Sequence, residues 1–331
     1  MKSEASLPES ATPAAVIIAG PTAVGKSALA LALAQQAPGE IVVADSMQVY
    51  RGLDVGTGKP TAADRALVVH HLLDIREPRD DFSAAEFAEA ADRLVQEIMG
   101  RGRLPILVGG TGLYLRAFLR GALAPAPDPA VRARLRAEAA SQGAAALHAR
   151  LAAADPRSAE RIHPHDLIRV LRALEIQAAT GAPPSAVRPG LWDRPRRRVA
   201  TFLVLTRERS ELAALIDRRC AAMWRDGLLD ETRRLLADPC GFTPRRLEAL
   251  GYRQARAFLE GRESAGEALA AMQAATRAYA KRQLTWFRRE PAARWRTIGG
   301  DAWVAPMVEE ILCELRGRGT GRELPVSGWA G

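Results

Sequence analysis

The chain is 331 residues long, 48% hydrophobic and formally +9 at neutral pH. That length can hold one large domain with an elaboration, or two domains, and no window of about 18 unbroken apolar residues offers a membrane span. The positive charge makes a polyanionic partner a candidate, although a general bias toward Arg would also produce it, and three widely spaced cysteines, Cys220, Cys240 and Cys313, suggest reduced thiols and argue against a disulfide frame or a zinc site. Residues 1–14 contain Glu4 and Glu9 and no apolar stretch. They read as a disordered tail without a secretion signal, so a cytoplasmic location is expected. Ala15 to Ala19 is a short apolar, β-branched run suited to a buried strand. Gly20-Pro21-Thr22-Ala23-Val24-Gly25-Lys26-Ser27 follows it and matches G-x-x-x-x-G-K-[ST], with strong helix formers from Ala28 to Ala34. Strand, glycine loop and helix in this order form a phosphate site. The glycines allow a tight turn, the loop N–H groups can point at an anion, and the helix start adds positive charge. Lys26 supplies a full charge, and the Ser27 hydroxyl is placed to bind Mg²⁺.

Glu40 to Ala44 is a second strand, with Asp45-Ser46-Met47-Gln48 at its C-terminal end. Gly52 to Thr61 is an irregular glycine-rich loop, and Ser83-Ala84-Ala85-Glu86 opens a helix to about Met99. Leu104 to Val108 is a third buried strand, followed by Gly109-Gly110-Thr111-Gly112 and a helix to about Leu119. This alternation implies an α/β fold with a parallel, P-loop NTPase-like sheet flanked by helices. Its ligands should gather at the strand C-termini, where the phosphate loop, Asp45 and Thr111 would converge. Residues 122–192 read as an all-helical insertion entered through Pro125, Pro127 and Pro129, and Asp193 to Arg198 as a basic linker. Val199 to Leu205 returns as a strand, and helices follow at about 209–224, 228–237, 266–289 and 307–315. The expected core is thus 15–121 plus 193–315, with 316–331 a flexible tail.

Asp45 sits where a carboxylate can act as a general base, hold Mg²⁺, or merely cap the next turn. Arg219 lies one turn after Ile216 and one before Met223, on the inner side of its helix, where it can clamp a pyrophosphate. Arg277 to Arg289 interleaves basic residues with Tyr279, Trp286 and Phe287. This suits phosphate contacts and base stacking, and equally suits an amphipathic helix with a solvated cationic face. His70-His71 and His163-x-His165 have no ligand-spaced partners and read as structural.

Taken together, Gly20–Ser27, Asp45–Gly52, His71–Ile75, Leu107–Leu115, Arg161–Pro164, Arg172–Glu175, Gly251–Arg253 and Ala280–Trp286 resemble the bacterial tRNA dimethylallyltransferases, also called tRNA isopentenyltransferases. The resemblance runs in order from about residue 15 to 298. It implies transfer of a dimethylallyl group from dimethylallyl diphosphate to N6 of adenine 37, beside the anticodon, in tRNAs reading codons that begin with U. By position, it implies that Asp45 is the base and that Thr22, Lys26, Ser27 and Arg219 hold the pyrophosphate, with Mg²⁺ near Ser27. Ser46, Met47, Gln48 and Thr111 would face the target nucleotide, which must leave the base stack to reach them. Arg169 and Arg172, Gly251, Tyr252 and Arg253, and Lys281, Arg282 and Trp286 would touch the anticodon arm, the insertion would grip the RNA, and the enzyme would act as a monomer. Where many members carry Pro-Gln before the first Arg of the insertion motif, this chain has Leu167-Ile168-Arg169, so the base contact that such a Gln could make is not implied here, while the chemistry is unaffected. A small-molecule or nucleotide kinase on the same fold, a prenyltransferase acting on free AMP, and an RNA-binding module with a degenerate phosphate loop are the competing readings. The intact Gly25-Lys26-Ser27 and Asp45 argue against the last.

Overall fold

A computed structural model describes residues 15–121, 128–187, 199–238, 246 and 248–317. The expected N-terminal tail, Pro125 and Pro127, the basic linker, Cys240 and nearly all of the C-terminal tail lie outside the described residues. Contacts divide the described residues into two compact units. One falls within Met1–Phe82, Glu89–Arg116 and Arg198–Gly331, the other within Ser83–Ala88 and Ala117–Arg197.

The first unit is built on one six-stranded parallel sheet in the order β3-β2-β4-β1-β5-β6. Its strands are β1 (Val16–Ala19), β2 (Gly39–Val43), β3 (His70–His71), β4 (Leu104–Gly109), β5 (Thr201–Thr206) and β6 (Arg294–Thr297). The central strands β1, β2 and β4 are buried along their whole length, which is why they are largely apolar; in β2 the exception is Glu40, whose carboxylate is paired with His71 and Arg101. Helices α1 (Lys26–Gln36), α2 (Ala62–Leu67) and α3 (Ala84–Gly100) connect the first four strands, and α4 (Gly112–Arg120) follows β4. The sheet makes β1 pair with β4 from Val16↔Ile106 to Ala19↔Gly109, so the loops after both strands emerge at the same edge. The Asp45 segment joins them there: Ala44 N–H donates to the Val108 carbonyl at 2.7 Å, and Thr111 N–H to the Ala44 carbonyl at 3.3 Å.

The second unit contains α5 (Pro129–Gln142), α6 (Ala144–Ala154), α7 (Pro156–Arg161), α8 (Leu167–Thr180) and α9 (Pro184–Val187). The side chains of Asp128, Asp155 and Asp166 cap α5, α7 and α8, and Pro129 and Pro156 sit in first turns, where no N–H partner is needed. Leu135, Leu147, Leu151, Val170 and Leu174 form its core. The buried Glu175 accepts from Arg132 Nε at 2.6 Å and from Arg172 at 3.2 Å.

After β5 the first unit continues through α10 (Arg209–Met223), a wide turn at Trp224–Leu228, α11 (Leu229–Ala237), α12 (Tyr252–Leu259), α13 (Ala265–Phe287) and α14 (Val304–Gly317). Two strands escape the sequence reading. β3 is only two residues long, and β6 carries Arg294-Trp295-Arg296-Thr297, whose arginines pair with Glu310 and Glu314 of α14.

Candidate active site

A cavity of about 360 Å³ opens among the loops after β1, β2 and β4, the 56–60 loop, and the inner faces of α10 and α13. Thr22, Lys26, Ser27, Asp45, Ser46, Met47, Gln48, Arg219 and Tyr252 all line it.

The phosphate loop has the backbone its sequence demands. Gly25 sits at φ 110°, and a Cβ there would meet the Trp303 ring at 2.6 Å. Arg207 braces the same loop, its Nε donating to the Val24 carbonyl at 3.3 Å. Gly25 gives α1 no side-chain cap, so the first-turn N–H groups remain for an anion. One loop amide departs from the expectation that these groups face an anion: Thr22 N–H donates instead to Gln283 Oε1 of α13 at 2.9 Å.

Lys26 Nζ donates to the Pro21 carbonyl at 2.7 Å. Burial, and then the neighbouring Arg219, push the Lys26 ammonium down to about 7, while Asp45 pulls the other way. Burial likewise lowers the Arg219 guanidinium, again opposed by Asp45. The guanidinium lies against Gly58, where a Cβ would come within 1.9 Å of it. Two cations and one carboxylate therefore share a cavity that can receive further negative charge. Asp45 Oδ1 accepts the N–H groups of Met47 at 2.8 Å and Gln48 at 3.3 Å. These bonds cap the turn and orient the carboxylate, and among the described residues Oδ2 accepts no hydrogen bond. Thr111 supports the turn, its hydroxyl accepting Ser46 N–H at 3.1 Å. Gln48 Nε2 donates to the carbonyls of Thr57 and Gly58, at 3.0 and 3.2 Å, so its amide nitrogen holds the 57–58 loop. Burial raises the Cys220 thiol and lowers the His70 imidazole, so both cavity-lining groups are neutral near pH 7. Among the described residues no three His, Cys, Asp or Glu side chains gather as a metal cage.

The residues expected to meet RNA divide into three groups. Lys281, Arg282 and Arg253 are exposed. Trp286 is half-buried, its indole against Gly112 and the Arg116 guanidinium 4.1 Å from its ring centre. Tyr252 corrects the expectation: it is completely buried, and its hydroxyl donates to Glu231 Oε1 at 2.7 Å. Gly251, also buried, starts α12 at φ 89°, with its N–H donating to Gln254. In the second unit Arg169 is exposed and pairs with Asp166, whereas Arg172 is held by the buried Glu175. Ile168 is 82% exposed.

Glu231 and Gln283 are missed by the sequence reading. Glu231 is fully buried and accepts the backbone N–H groups of Asp54, Val55 and Gly56 at 2.8–2.9 Å, fixing the loop that carries Gly58 to Arg219. Gln283 stands inside the Ala280–Trp286 stretch, which draws attention to that helix but not to this side chain.

The family model described as IPP transferase matches residues 48–290. A tRNA dimethylallyltransferase of Anaeromyxobacter dehalogenans is 53% identical over 292 residues, 88% of this chain and 92% of the relative. The chain belongs to the tRNA dimethylallyltransferase family. A Myxococcus xanthus member is 50% identical over 85% of this chain and 91% of its own length. The fold agrees with that of a full-length tRNA isopentenylpyrophosphate transferase from Bacillus halodurans, with a TM-score of 0.65 and 38% identity over 92% of this chain and 98% of that one. It also agrees with a eukaryotic dimethylallyltransferase captured acting on tRNA, with a TM-score of 0.73 and 27% identity over 86% of this chain and 73% of that one. The family match includes Gln48, Thr111, Arg219 and the Lys281–Trp286 stretch. Gly20–Ser27 and Asp45 precede it.

Proposed function

We infer that this chain transfers the dimethylallyl group of dimethylallyl diphosphate to N6 of adenine 37 in tRNAs reading codons that begin with U, giving N6-(dimethylallyl)adenosine. The observation that carries the reading is the placement of Lys26, Ser27 and Arg219 opposite Asp45 in one cavity, in a chain of this family. The cations and the uncapped start of α1 would hold the diphosphate, and Thr22 would stand at its edge. Cys220, Met223 and Met272 would face the prenyl carbons. The N6 lone pair would form a bond to C1 as the C1–O bond to diphosphate breaks. The N6 proton would pass to Asp45 Oδ2, and the charge developing on the leaving diphosphate would meet Lys26 and Arg219, which are already oriented for it.

The Ser27 hydroxyl, in the first turn of α1 and on the cavity wall, would hold Mg²⁺ together with diphosphate oxygens. The lack of a carboxylate cage among the described residues suits that ion, which favours phosphate and water ligands. Bound there, it would neutralise part of the leaving group's charge. Lys281, Arg282 and Arg253 of the first unit, and the helical second unit with Arg169, would hold the anticodon arm. Among the described residues no helix is long and apolar enough to cross a membrane, and we place the reaction in the cytoplasm, carried out by a monomer.

The test is incubation with labelled dimethylallyl diphosphate and, in separate tubes, total tRNA or AMP. Label should enter tRNA and not AMP, without any requirement for ATP. Label in AMP alone would make the chain a free-nucleotide prenyltransferase, and stoichiometric ATP consumption without label transfer would make it a kinase.

A further inference from the structure

Helix α13 has two contrasting faces at one point. Lys281 and Arg282 are exposed, whereas Gln283, the next residue, is 6% exposed and turned toward the cavity. Its amide bridges two loops. Oε1 accepts Thr22 N–H at 2.9 Å, and Nε2 donates to the Gly110 carbonyl at 3.0 Å. An amide offers one acceptor and one donor end, and these partners fix which end faces which loop. Gly110 leaves room for it: a Cβ there would lie 2.1 Å from Gln283 Nε2. One turn earlier, the half-buried Tyr279 lines the same cavity.

The two bridged loops have opposite duties in the proposed reaction. Thr22 belongs to the diphosphate loop. Gly110 precedes Thr111, whose hydroxyl supports the turn beginning at Asp45. The donor and acceptor sides of the cavity are therefore joined through one planar group on a third element. We propose that Gln283 is a positioning residue for the transfer: it sets the spacing between the diphosphate loop and the Gly110–Thr111 loop, so that the donor carbon and the acceptor nitrogen meet in line. The proposal rests on the functional reading above and deepens it. A misplacement of about 1 Å between reacting groups can lower a rate roughly 10²-fold while contributing little to affinity. Loss of the bridge should therefore fall on the chemical step.

Two variants test this from opposite sides. Gln283→Met keeps the length and removes both hydrogen bonds. Gly110→Ala leaves α13 untouched and displaces the amide with a methyl group; Gly110 does not have a positive φ, and the group in the way is the far end of a flexible side chain. Three quantities are compared with the wild-type chain: the single-turnover rate at saturating dimethylallyl diphosphate and tRNA, the separate dissociation constants, and hydrogen exchange at the Thr22 amide. Both variants should lose roughly 30- to 100-fold in single-turnover rate, hold both dissociation constants within about threefold, and exchange the Thr22 amide faster. If Gln283→Met does not fold, Gly110→Ala decides. A wild-type rate in a folded variant, a loss confined to affinity, or unchanged Thr22 exchange would overturn the proposal. An inactive wild-type chain would instead overturn the functional reading, and the exchange measurement would still judge the bridge.

Discussion

Lys26 ties the electrostatics of the cavity to a measurable proton. In the free site its ammonium is lowered to about 7 by burial and by Arg219. A bound diphosphate places several negative charges beside it and should return it toward the ordinary lysine value of about 10.4. Above pH 7 the free side chain is mostly an amine and the bound one an ammonium, so binding takes up a proton. Near pH 8, a group titrating at about 7 should take up roughly 0.9 proton, and between pH 7.5 and 9.5 the dissociation constant should weaken roughly 50- to 100-fold. The substrate's own last phosphate titration, at about 6, is complete before this window. Calorimetry in two buffers of different ionisation enthalpy reads the proton count, and titrations across the window read the slope. Lys26→Arg stays charged and should show neither effect. The same shift governs stability with the following sign. The folded value lies below the unfolded one, so the unfolded chain binds more protons between about pH 7 and 10.4, and stability rises with pH across that interval. Lys26→Met should accordingly raise the melting temperature at pH 7 while abolishing turnover. Proton uptake near zero in the wild-type chain, with a flat affinity profile, would refute this electrostatic account.

Asp45→Ala should lower the single-turnover rate by about 10² or more while leaving tRNA affinity nearly unchanged, because proton acceptance acts in the transition state; a near-normal rate in rapid quench would remove Asp45 as the base. Lys281→Ala with Arg282→Ala alters two exposed side chains, so the slope of log affinity against log salt should become shallower by about 0.7–0.9 per lost phosphate contact, with the melting temperature unchanged. A lowered melting temperature with the original salt slope would make that face scaffold. Glu231→Ala removes the acceptor of three backbone N–H groups and of the Tyr252 hydroxyl; each unsatisfied buried donor costs about 1–3 kcal/mol, so denaturant unfolding should show a loss of several kcal/mol, and a loss below about 1 kcal/mol would contradict the anchoring role.

The parts of this molecule legible in its sequence are those encoded locally. β1, the loop Gly20–Ser27 and α1 occupy one short stretch, where apolar pattern, glycine placement and helix formers agree. β2 and β4 are buried on both faces, and their Ile41–Val43 and Ile106–Val108 segments appear as apolar, largely β-branched runs. β3 and β6 lie at the sheet edges, where two residues or an arginine-rich segment suffice, and no apolar run marks them. The cavity residues at strand ends were reachable because a parallel sheet gathers its loops at one edge. Gln283 and Glu231 were not, because each holds backbone far away in sequence: Gln283 lies 261 residues from Thr22, and Glu231 lies 175–177 from the amides it accepts. Such bonds carry no local pattern. Tyr252 shows the converse. This motif position is inaccessible to bulk solvent, its hydroxyl held by the buried Glu231.

The central claim is that the cavity transfers the prenyl group of a prenyl diphosphate to one adenine of tRNA, releasing diphosphate. Its most direct test is nuclease mapping and mass spectrometry of tRNA treated with the purified chain, dimethylallyl diphosphate and Mg²⁺, with Asp45→Ala as the paired control. A dimethylallyl mass increment on N6 of adenine 37 alone, absent with Asp45→Ala, is the predicted result. Unmodified adenine 37 after treatment with the wild-type chain, or an increment at other nucleotides, would contradict the account.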